Sequence, residues 1–170
     1  MAKEIEHKFL VKDESFKLLA QGVYYRQGYI PTLSGTTVRV RIAGTQGFIT
    51  IKDRAKGLSR NEYEYPIPVT DAEQMLESVC DKPQIEKHRY IIPAADGLQP
   101  DGTPATGLHW EVDVFHGDNE GLIVAELEVP SEATIFEKPD WVGQEVTGEH
   151  RYYNKALTKF PYKDWDENRS

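Results

Sequence analysis

The sequence predicts an α+β fold dominated by antiparallel strands, and three observations carry that reading. Eight segments alternate apolar and polar residues with the period of two that a half-buried strand requires. Tight-turn chemistry separates several of them, as in Ala43-Gly44-Thr45-Gln46-Gly47 and His116-Gly117-Asp118-Asn119-Glu120-Gly121, which suits hairpins rather than crossovers. Helical periodicity is confined to a few short stretches.

Taken in order, the first strand, near Lys3–Val11, sets Glu4, Glu6 and Lys8 against Ile5 and Phe9. Tyr24–Ile30 follows, and then Thr36–Ala43, where Arg39 and Arg41 alternate with Val38, Val40 and Ile42. Gly47–Arg54 places Lys52 and Arg54 opposite Ile49 and Ile51, and Arg60–Val69 interleaves Glu62 and Glu64 with Tyr63 and Tyr65. Gln84–Ile92 carries Lys87 and Arg89. His109–Phe115 sets Glu111 and Asp113 against Trp110, Val112 and Val114. Leu122–Val129 sets Glu126 and Glu128 against Ala125, Leu127 and Val129. Between the sixth and seventh strands, Asp96–Gly107 holds three Gly and two Pro and reads as a surface loop.

The clearest helix signal starts at Thr70, where Thr70-Asp71-Ala72-Glu73 has the form of a capping box. Ala72, Met75, Leu76 and Val79 follow at helical spacing and give the segment an apolar stripe, with Cys80 just behind it as a structural residue. Shorter helical candidates lie at Glu14–Ala20, Glu132–Phe136 and His150–Leu157. From Lys163 to Ser170 the chain is mostly polar and reads as a fraying tail, in which Asn168-Arg169-Ser170 is treated as a chance sequon.

At 170 residues the chain fits one domain. Folding at that length buries roughly 70% of the unfolded chain's surface. With 39% hydrophobic and 28% charged residues, the composition is globular rather than disordered. The net charge of −8 argues against a sequence-blind nucleic-acid binder or an anionic-membrane binder. A single cysteine excludes an internal disulfide and a thiolate zinc cage. No apolar signal stretch opens the chain, and no run approaches the ~18 residues of a membrane span. A cytoplasmic monomer or homodimer is expected, with no nucleic-acid or membrane partner.

The charged residues sort by sign. Any one strand with a charged face ordinarily turns that face to water. Here seven strands each carry an ionic pair on one face, and basic pairs and acidic pairs occupy different strands. Solvent faces usually mix the signs. Clustered carboxylates repel by about 4 kcal/mol per pair at ~4 Å near a protein surface, unless a cation compensates them. Oxygen donors select a hard cation, Mg²⁺ or Mn²⁺, over zinc. Rows of Arg and Lys match phosphate oxygens. Metal plus phosphate-binding cations is the equipment of phosphoryl transfer. The histidines His7, His88, His109, His116 and His150 have no metal-ligand spacing, and no phosphate-binding glycine loop or dinucleotide fingerprint occurs. Tyr24, Tyr25, Trp110, Tyr152 and Tyr153 read as packing residues rather than base-stacking platforms.

These residues resemble a known family. Glu4-Ile5-Glu6-His7-Lys8 matches the E-x-E-x-K signature of the CYTH superfamily, the triphosphate tunnel metalloenzymes. The same order continues through Arg39-Val40-Arg41, Thr50-Ile51-Lys52, Glu62-Tyr63-Glu64, Lys87-His88-Arg89, Glu111-Val112-Asp113 and Glu126-Leu127-Glu128. Val146-Thr147 and Arg151-Tyr152-Tyr153-Asn154-Lys155-Ala156-Leu157 are similar to the family's end.

The resemblance implies a closed eight-stranded antiparallel β-barrel, a tunnel with an ionic interior and flanking helices. It would span residues 1–162, with 163–170 as the tail. It also implies a divalent-metal-dependent enzyme acting on a small-molecule triphosphate. Glu4, Glu6, Glu126 and Glu128 then stand as metal ligands, Glu126 and Glu128 also as catalytic. Lys8, Arg39, Arg41, Lys52, Arg54, Lys87, Arg89, Arg151 and Lys155 stand as substrate contacts. Glu62, Glu64, Glu111 and Asp113 orient those cations, bind a second metal or position water. Gln27-Gly28-Tyr29 resembles a segment of small bacterial tripolyphosphatases, and makes Tyr29 a candidate catalytic partner of Lys8. Hydrolysis of inorganic tripolyphosphate is the expected reaction. A class IV adenylate cyclase, a thiamine triphosphatase and a non-catalytic polyphosphate-binding module are the alternatives.

Overall fold

Alternation along the sequence becomes pairing along the backbone. The computed structural model describes residues 5–33, 35–54 and 61–165. Its strands in chain order are β1 (Ile5–Val11), β2 (Val23–Ile30), β3 (Thr37–Ala43), β4 (Gln46–Lys52), β5 (Glu62–Ile67) and β6 (Ile85–Pro93). After these come β7 (Gly97–Leu98), β8 (Pro104–Ala105), β9 (His109–Phe115), β10 (Ile123–Val129) and β11 (Val142–Glu145). Two α-helices, α1 (Val69–Ser78) and α2 (Asn154–Leu157), and four short 3₁₀ turns complete the described elements. The fold is therefore mostly antiparallel sheet with few helices, and every one of the eight expected strands is present. No helix among the described residues is long and apolar enough to cross a membrane.

The chain forms two compact units. The first contains Met1–Gly22, His88–Val114 and Gly121–Tyr153. Its strands run in the order β11-β1-β10-β9, all antiparallel. Their apolar faces bury Phe9, Trp110, Val112, Ala125 and Leu127 together with Phe16, Trp141 and Val142. Trp110 meets Phe9 and Trp141 edge to face, each at a centroid separation of 5.6 Å. That geometry suits the ring quadrupoles.

The second unit contains Val23–Lys87, Phe115–Glu120 and Asn154–Ser170. Its strands run β2-β3-β4-β5, again antiparallel. Helix α1 lays Ala72, Leu76 and the following Cys80 on Val40 and Ile42 of β3. Burying a Leu or Ile side chain in such a contact contributes about 1.5–3 kcal/mol. Gly28 permits the close approach, because a Cβ there would sit 3.1 Å from both Cys80 Cβ and a Leu76 methyl. Strand β6 contributes Ile85–Lys87 to this unit and continues into the first.

The differences from the sequence reading are local. Strand β11 is an addition, too short and with too little alternation to register. It pairs with β1 through an irregular register, Phe9 opposite Glu145 but Val11 opposite Val142. The loop from Asp96 to Gly107 holds the two-residue ladder β7–β8. Helix α1 begins at Val69 with Pro68 at its N-cap and no side-chain cap, so Thr70 lies inside the first turn and the capping box does not form. Pro68 sets the extended entry with φ −55° and ψ 135°. Val79 is 48% exposed, and Cys80 takes its expected place in the core. Glu132–Phe136 forms no helix: a turn joins Thr134 N–H to the Ser131 carbonyl, and Ile135 bridges to Leu98. His150–Leu157 splits at Tyr153, which is extended at ψ 142°. Glu14–Ala20 shortens to a 3₁₀ turn over Ser15–Leu18. Beyond Lys163, Trp165 is buried and its Nε1 donates to the Phe160 carbonyl at 3.0 Å, because a large ring outweighs the polar composition around it. Lys3, Glu4, Arg60 and the Asn168 sequon lie outside the described residues.

Candidate active site

In the first unit, β1, β10 and β9 carry their ionic residues on one face, because the register sets like positions opposite one another. Lys8 faces Glu126, Glu6 faces Glu128, and Glu126 faces Glu111 in turn. Lys8 and Glu126 are both buried, and Lys8 Nζ donates to Glu126 Oε1 at 2.8 Å. Arg89 reaches this face from β6. Its Nε and Nη2 donate to the two oxygens of Asp113 at 2.8 and 2.9 Å, and its Nη1 donates to Glu111 at 2.8 Å. Glu128 is exposed. Arg151 lies beside Tyr152, its Nη2 donating to the Tyr152 hydroxyl at 3.3 Å.

Carboxylates outnumber cations here, and the titration of the face reflects it. Burial, and next the neighbouring Glu126 carboxylate, push Glu6 up to about 7. Burial also opposes the charge on Glu126, but Lys8 outweighs it and holds Glu126 below the ordinary carboxylate range. The two carboxyls thus titrate apart, Glu126 ionising first and Glu6 only near neutrality. For Arg89, burial disfavours the charge, yet Asp113 and Glu111 outweigh it and hold the guanidinium protonated.

The donor set for a metal is oxygen only. Among the described residues no three of His, Cys, Asp and Glu converge tightly enough to hold a metal ion. Glu4, the remaining member of the expected set, lies outside the described residues. The chemistry of Glu6 and Glu126 nonetheless fits a hard divalent cation: two crowded carboxylates, one of them forced toward its neutral form, gain most from a doubly charged partner.

In the second unit the face away from α1 carries the cations. The register aligns Tyr29 with Arg39 and Thr50, Gln27 with Arg41, and Lys52 with both Thr37 and Glu62. Arg39 Nη2 approaches Thr50 Oγ1 at 3.3 Å and Glu64 Oε1 at 3.6 Å, while Thr50 donates to Glu64 at 2.8 Å. Arg39 Nε is buried without a hydrogen-bond partner, an arrangement that an anionic oxygen would complete. Arg41 Nε donates to Gln27 Oε1 at 2.9 Å, and Gln27 Nε2 lies 3.3 Å from the Tyr29 hydroxyl. Burial raises the Tyr29 phenol despite the nearby Arg39 and Arg41, so it keeps its proton. Lys87 is wholly buried and donates to Asn154 Oδ1 at 3.1 Å. Lys155 on α2 donates to Thr37 Oγ1 at 3.2 Å. Arg54 departs from expectation: β4 ends at Lys52, and Arg54 lies exposed beyond it.

Gln27, Thr37, Thr50 and Asn154 join the ionic faces although no role was expected of them: Gln27, Thr50 and Asn154 lie inside quoted motifs, but as neighbours of the residues singled out. The signal that could have found them is a neutral polar residue two positions from an ionic or tyrosyl partner, as in Gln27-Gly28-Tyr29 and Thr37-Val38-Arg39.

The fold and faces define a class: an antiparallel β protein with one carboxylate-rich and one basic strand face, the donors that a divalent cation and a polyphosphate need. Comparison with known proteins gives the family. The model of the CYTH domain matches residues 2–161. An inorganic triphosphatase of Acetivibrio thermocellus is 49% identical over 167 residues, covering 98% of this chain and 100% of that one. An inorganic triphosphatase of Nitrosomonas europaea is 42% identical over 157 residues, covering 91% and 95%. A crystal structure of an inorganic triphosphatase superposes with a TM-score of 0.62 at 37% identity, covering 93% of this chain and 95% of the other. The chain belongs to the CYTH family.

Proposed function

We propose that the protein hydrolyses inorganic tripolyphosphate to pyrophosphate and phosphate, and that residues 1–162 form one domain closed as the family's eight-stranded tunnel, with 163–170 as its tail. The relatives named as inorganic triphosphatases support the substrate. The observation that carries the reading is the separation of a carboxylate face around Glu126 from a basic face around Arg39. Cys80, a free buried thiol, accords with a cytoplasmic location.

In this reading Glu6 and Glu126, with Glu128 and Glu4, hold Mg²⁺ or Mn²⁺. A bound divalent ion supplies charge neutralisation of phosphate oxygens and lowers the pKa of a coordinated water. The chain's own residues do the rest. Lys8, Arg39, Arg41, Lys52, Lys87 and Lys155 bind the triphosphate oxygens, with Arg54 and Arg151 as outer contacts. Arg89 fixes Glu111 and Asp113, which hold water in line with the terminal phosphorus, while Glu62 and Glu64 set Lys52 and Arg39. The water oxygen forms the new bond to phosphorus as one of its protons passes to a carboxylate of the acidic face, and the bridging P–O bond breaks with its electron pair leaving on pyrophosphate. Tyr29, protonated, is the partner of Lys8 and donates a hydrogen bond to the substrate.

Tripolyphosphate, ATP, GTP and thiamine triphosphate, each assayed with Mg²⁺ and Mn²⁺ for phosphate, pyrophosphate and cyclic AMP, test this directly. Phosphate and pyrophosphate in equal amounts from tripolyphosphate, at the highest kcat/KM of the panel, are expected. Cyclic AMP from ATP as the main product would replace the reading with a class IV adenylate cyclase, and tight binding without turnover would replace it with a binding module.

A further inference from the structure

The backbone of Lys8 is tied to Val146 and Thr147, just beyond the end of β11. Its carbonyl accepts from the Val146 N–H at 2.7 Å. A regular antiparallel rung would return the Lys8 N–H to the Val146 carbonyl. That carbonyl instead accepts from the Glu149 N–H at 3.0 Å and closes a turn, in which Gly148 takes a left-handed φ of +81°. The Lys8 N–H goes to the Thr147 hydroxyl at 2.9 Å, so a side-chain oxygen completes the rung.

That hydroxyl is itself oriented. Thr147 Oγ1 carries one proton and has two acceptors in reach, Glu145 Oε2 at 2.6 Å and the Lys8 carbonyl at 3.4 Å. The shorter, charge-assisted bond claims the proton and leaves an oxygen lone pair for the Lys8 N–H. Glu145 Oε2 also meets His7 Nδ1 at 2.8 Å, and these two hydrogen bonds hold the Glu145 carboxyl below its ordinary range, as an acceptor. The chain of contacts runs from His7 through Glu145 and Thr147 to the Lys8 peptide. The same Lys8 places its buried ammonium 2.8 Å from Glu126 Oε1.

We propose that Thr147 is a positioning residue for the Lys8–Glu126 pair: its hydroxyl, oriented by Glu145, anchors the Lys8 peptide and so sets where the buried ammonium meets the Glu126 carboxylate. The proposal rests on the reading of the face around Glu126 as part of the active site. It assigns to Thr147 a contribution to turnover more than to triphosphate affinity, which Arg39 and Arg41 supply. It assigns that contribution to the hydroxyl and not to the bulk of the side chain.

The test compares Thr147→Val, which keeps the shape and removes the hydroxyl, with Thr147→Ser, which keeps the hydroxyl. Thr147 and Glu145 are both exposed, so these changes disturb little core packing. In the metal-free protein, exchange of the Lys8 amide hydrogen followed by NMR should quicken about tenfold or more in Thr147→Val and stay near the wild type in Thr147→Ser. With tripolyphosphate and Mg²⁺, kcat should fall about tenfold in Thr147→Val, while the calorimetric dissociation constant changes less than about threefold. Thr147→Ser should stay within about twofold of the wild type in both. Glu145→Ala should lower kcat by about threefold and add little in a Thr147→Val background, because the two act through one contact. Wild-type kcat in Thr147→Val, or a Thr147→Ser as impaired as Thr147→Val, would overturn the assignment to the hydroxyl. So would a loss of kcat that merely tracks a collapse of the melting temperature, or Lys8 amide exchange that Thr147→Val leaves unchanged. A Glu145→Ala loss undiminished in the Thr147→Val background would overturn the part given to Glu145. A wild type that hydrolyses no triphosphate would overturn the reading of the face, and the amide exchange would still report on the Thr147 contact by itself.

Discussion

Arg89 grips Asp113 with two parallel hydrogen bonds, Nε to Oδ1 at 2.8 Å and Nη2 to Oδ2 at 2.9 Å, and both residues are nearly excluded from water. With Nη1 bound to Glu111 as well, at least three of the guanidinium's N–H donors hold protein carboxylates. The order Lys87-His88-Arg89 suggests two equivalent phosphate ligands, but the partners of Arg89 make it first a fixture of the acidic face. Lys87, two residues earlier, donates to Asn154 Oδ1 and lies against the rings of Tyr25 and Phe115.

Removal of Arg89 should therefore act on stability. Arg89→Ala takes from Asp113, 1% exposed, both hydrogen bonds of the guanidinium, and removing one member of a buried ion pair costs about 3–5 kcal/mol. Arg89→Lys should recover only part of this, since an ammonium cannot reproduce the two-pronged contact. Denaturant unfolding measures both, and an Arg89→Ala midpoint equal to that of the wild type would refute the structural role.

Proton and metal should compete at Glu6. Its carboxyl is raised to about 7 in the metal-free protein, so between the unfolded value near 4.5 and about 7 the folded state binds the extra proton. Stability in EDTA should accordingly fall as pH rises through that window. Apparent affinity for Mg²⁺ or Mn²⁺ should rise with pH by up to about tenfold per unit below 7 and level off above it. At 100 times its dissociation constant the ion should add about 2.7 kcal/mol, roughly 5–10 °C in midpoint. Melting curves at pH 6 and 8, with and without metal, check both signs. Superimposable curves at pH 8 would count against Glu6 as a ligand.

Much of this architecture was legible because period-two alternation encodes both strand and face. The ionic pairs Glu6/Lys8, Arg39/Arg41 and Glu111/Asp113 could be assigned to single faces without a structure, and cross-strand register then brought Lys8 to Glu126. What escaped depends on long-range partners. Strand β11 exists through its pairing with Phe9 and Val11, not through its own four residues. The capping box at Thr70 is locally well formed, yet Pro68 ends the preceding strand in a geometry that lets the helix begin two residues earlier. Neutral helpers such as Gln27 and Asn154 lie within recognisable motifs but carry no charge pattern, so their contacts with Arg41 and Lys87 give them their roles.

Arg41 should contribute to binding with little effect on the fold. Its strand neighbours Val40 and Ile42 pack under α1 on the opposite face, which Arg41→Ala leaves intact. Loss of a charge-assisted hydrogen bond to phosphate costs at least ~1.5 kcal/mol. KM for tripolyphosphate should therefore rise by about tenfold or more while the melting temperature stays within a few degrees of the wild type. Wild-type KM and kcat in this variant would remove Arg41 from the site.

Glu126 and Glu128 should separate in stability while agreeing in activity. Both lie on the acidic face, and replacing either by Gln removes one charge from the proposed metal site, with an expected loss of at least ~100-fold in turnover, or ~2.7 kcal/mol of barrier. Their surroundings differ. Glu126 is buried against Lys8 at 2.8 Å, so Glu126→Gln leaves a buried ammonium facing a neutral amide, a weakening of about 1–3 kcal/mol. Glu128 is exposed, and Glu128→Gln should melt with the wild type. Tripolyphosphate binding through Arg39, Arg41 and Lys87 should survive in both variants better than turnover does. Calorimetric binding, steady-state kinetics and thermal melts of the two proteins resolve these three quantities. Wild-type turnover in both would defeat metal catalysis at this face, and equal destabilisation of the two would contradict the buried Lys8–Glu126 pair as the source of the difference.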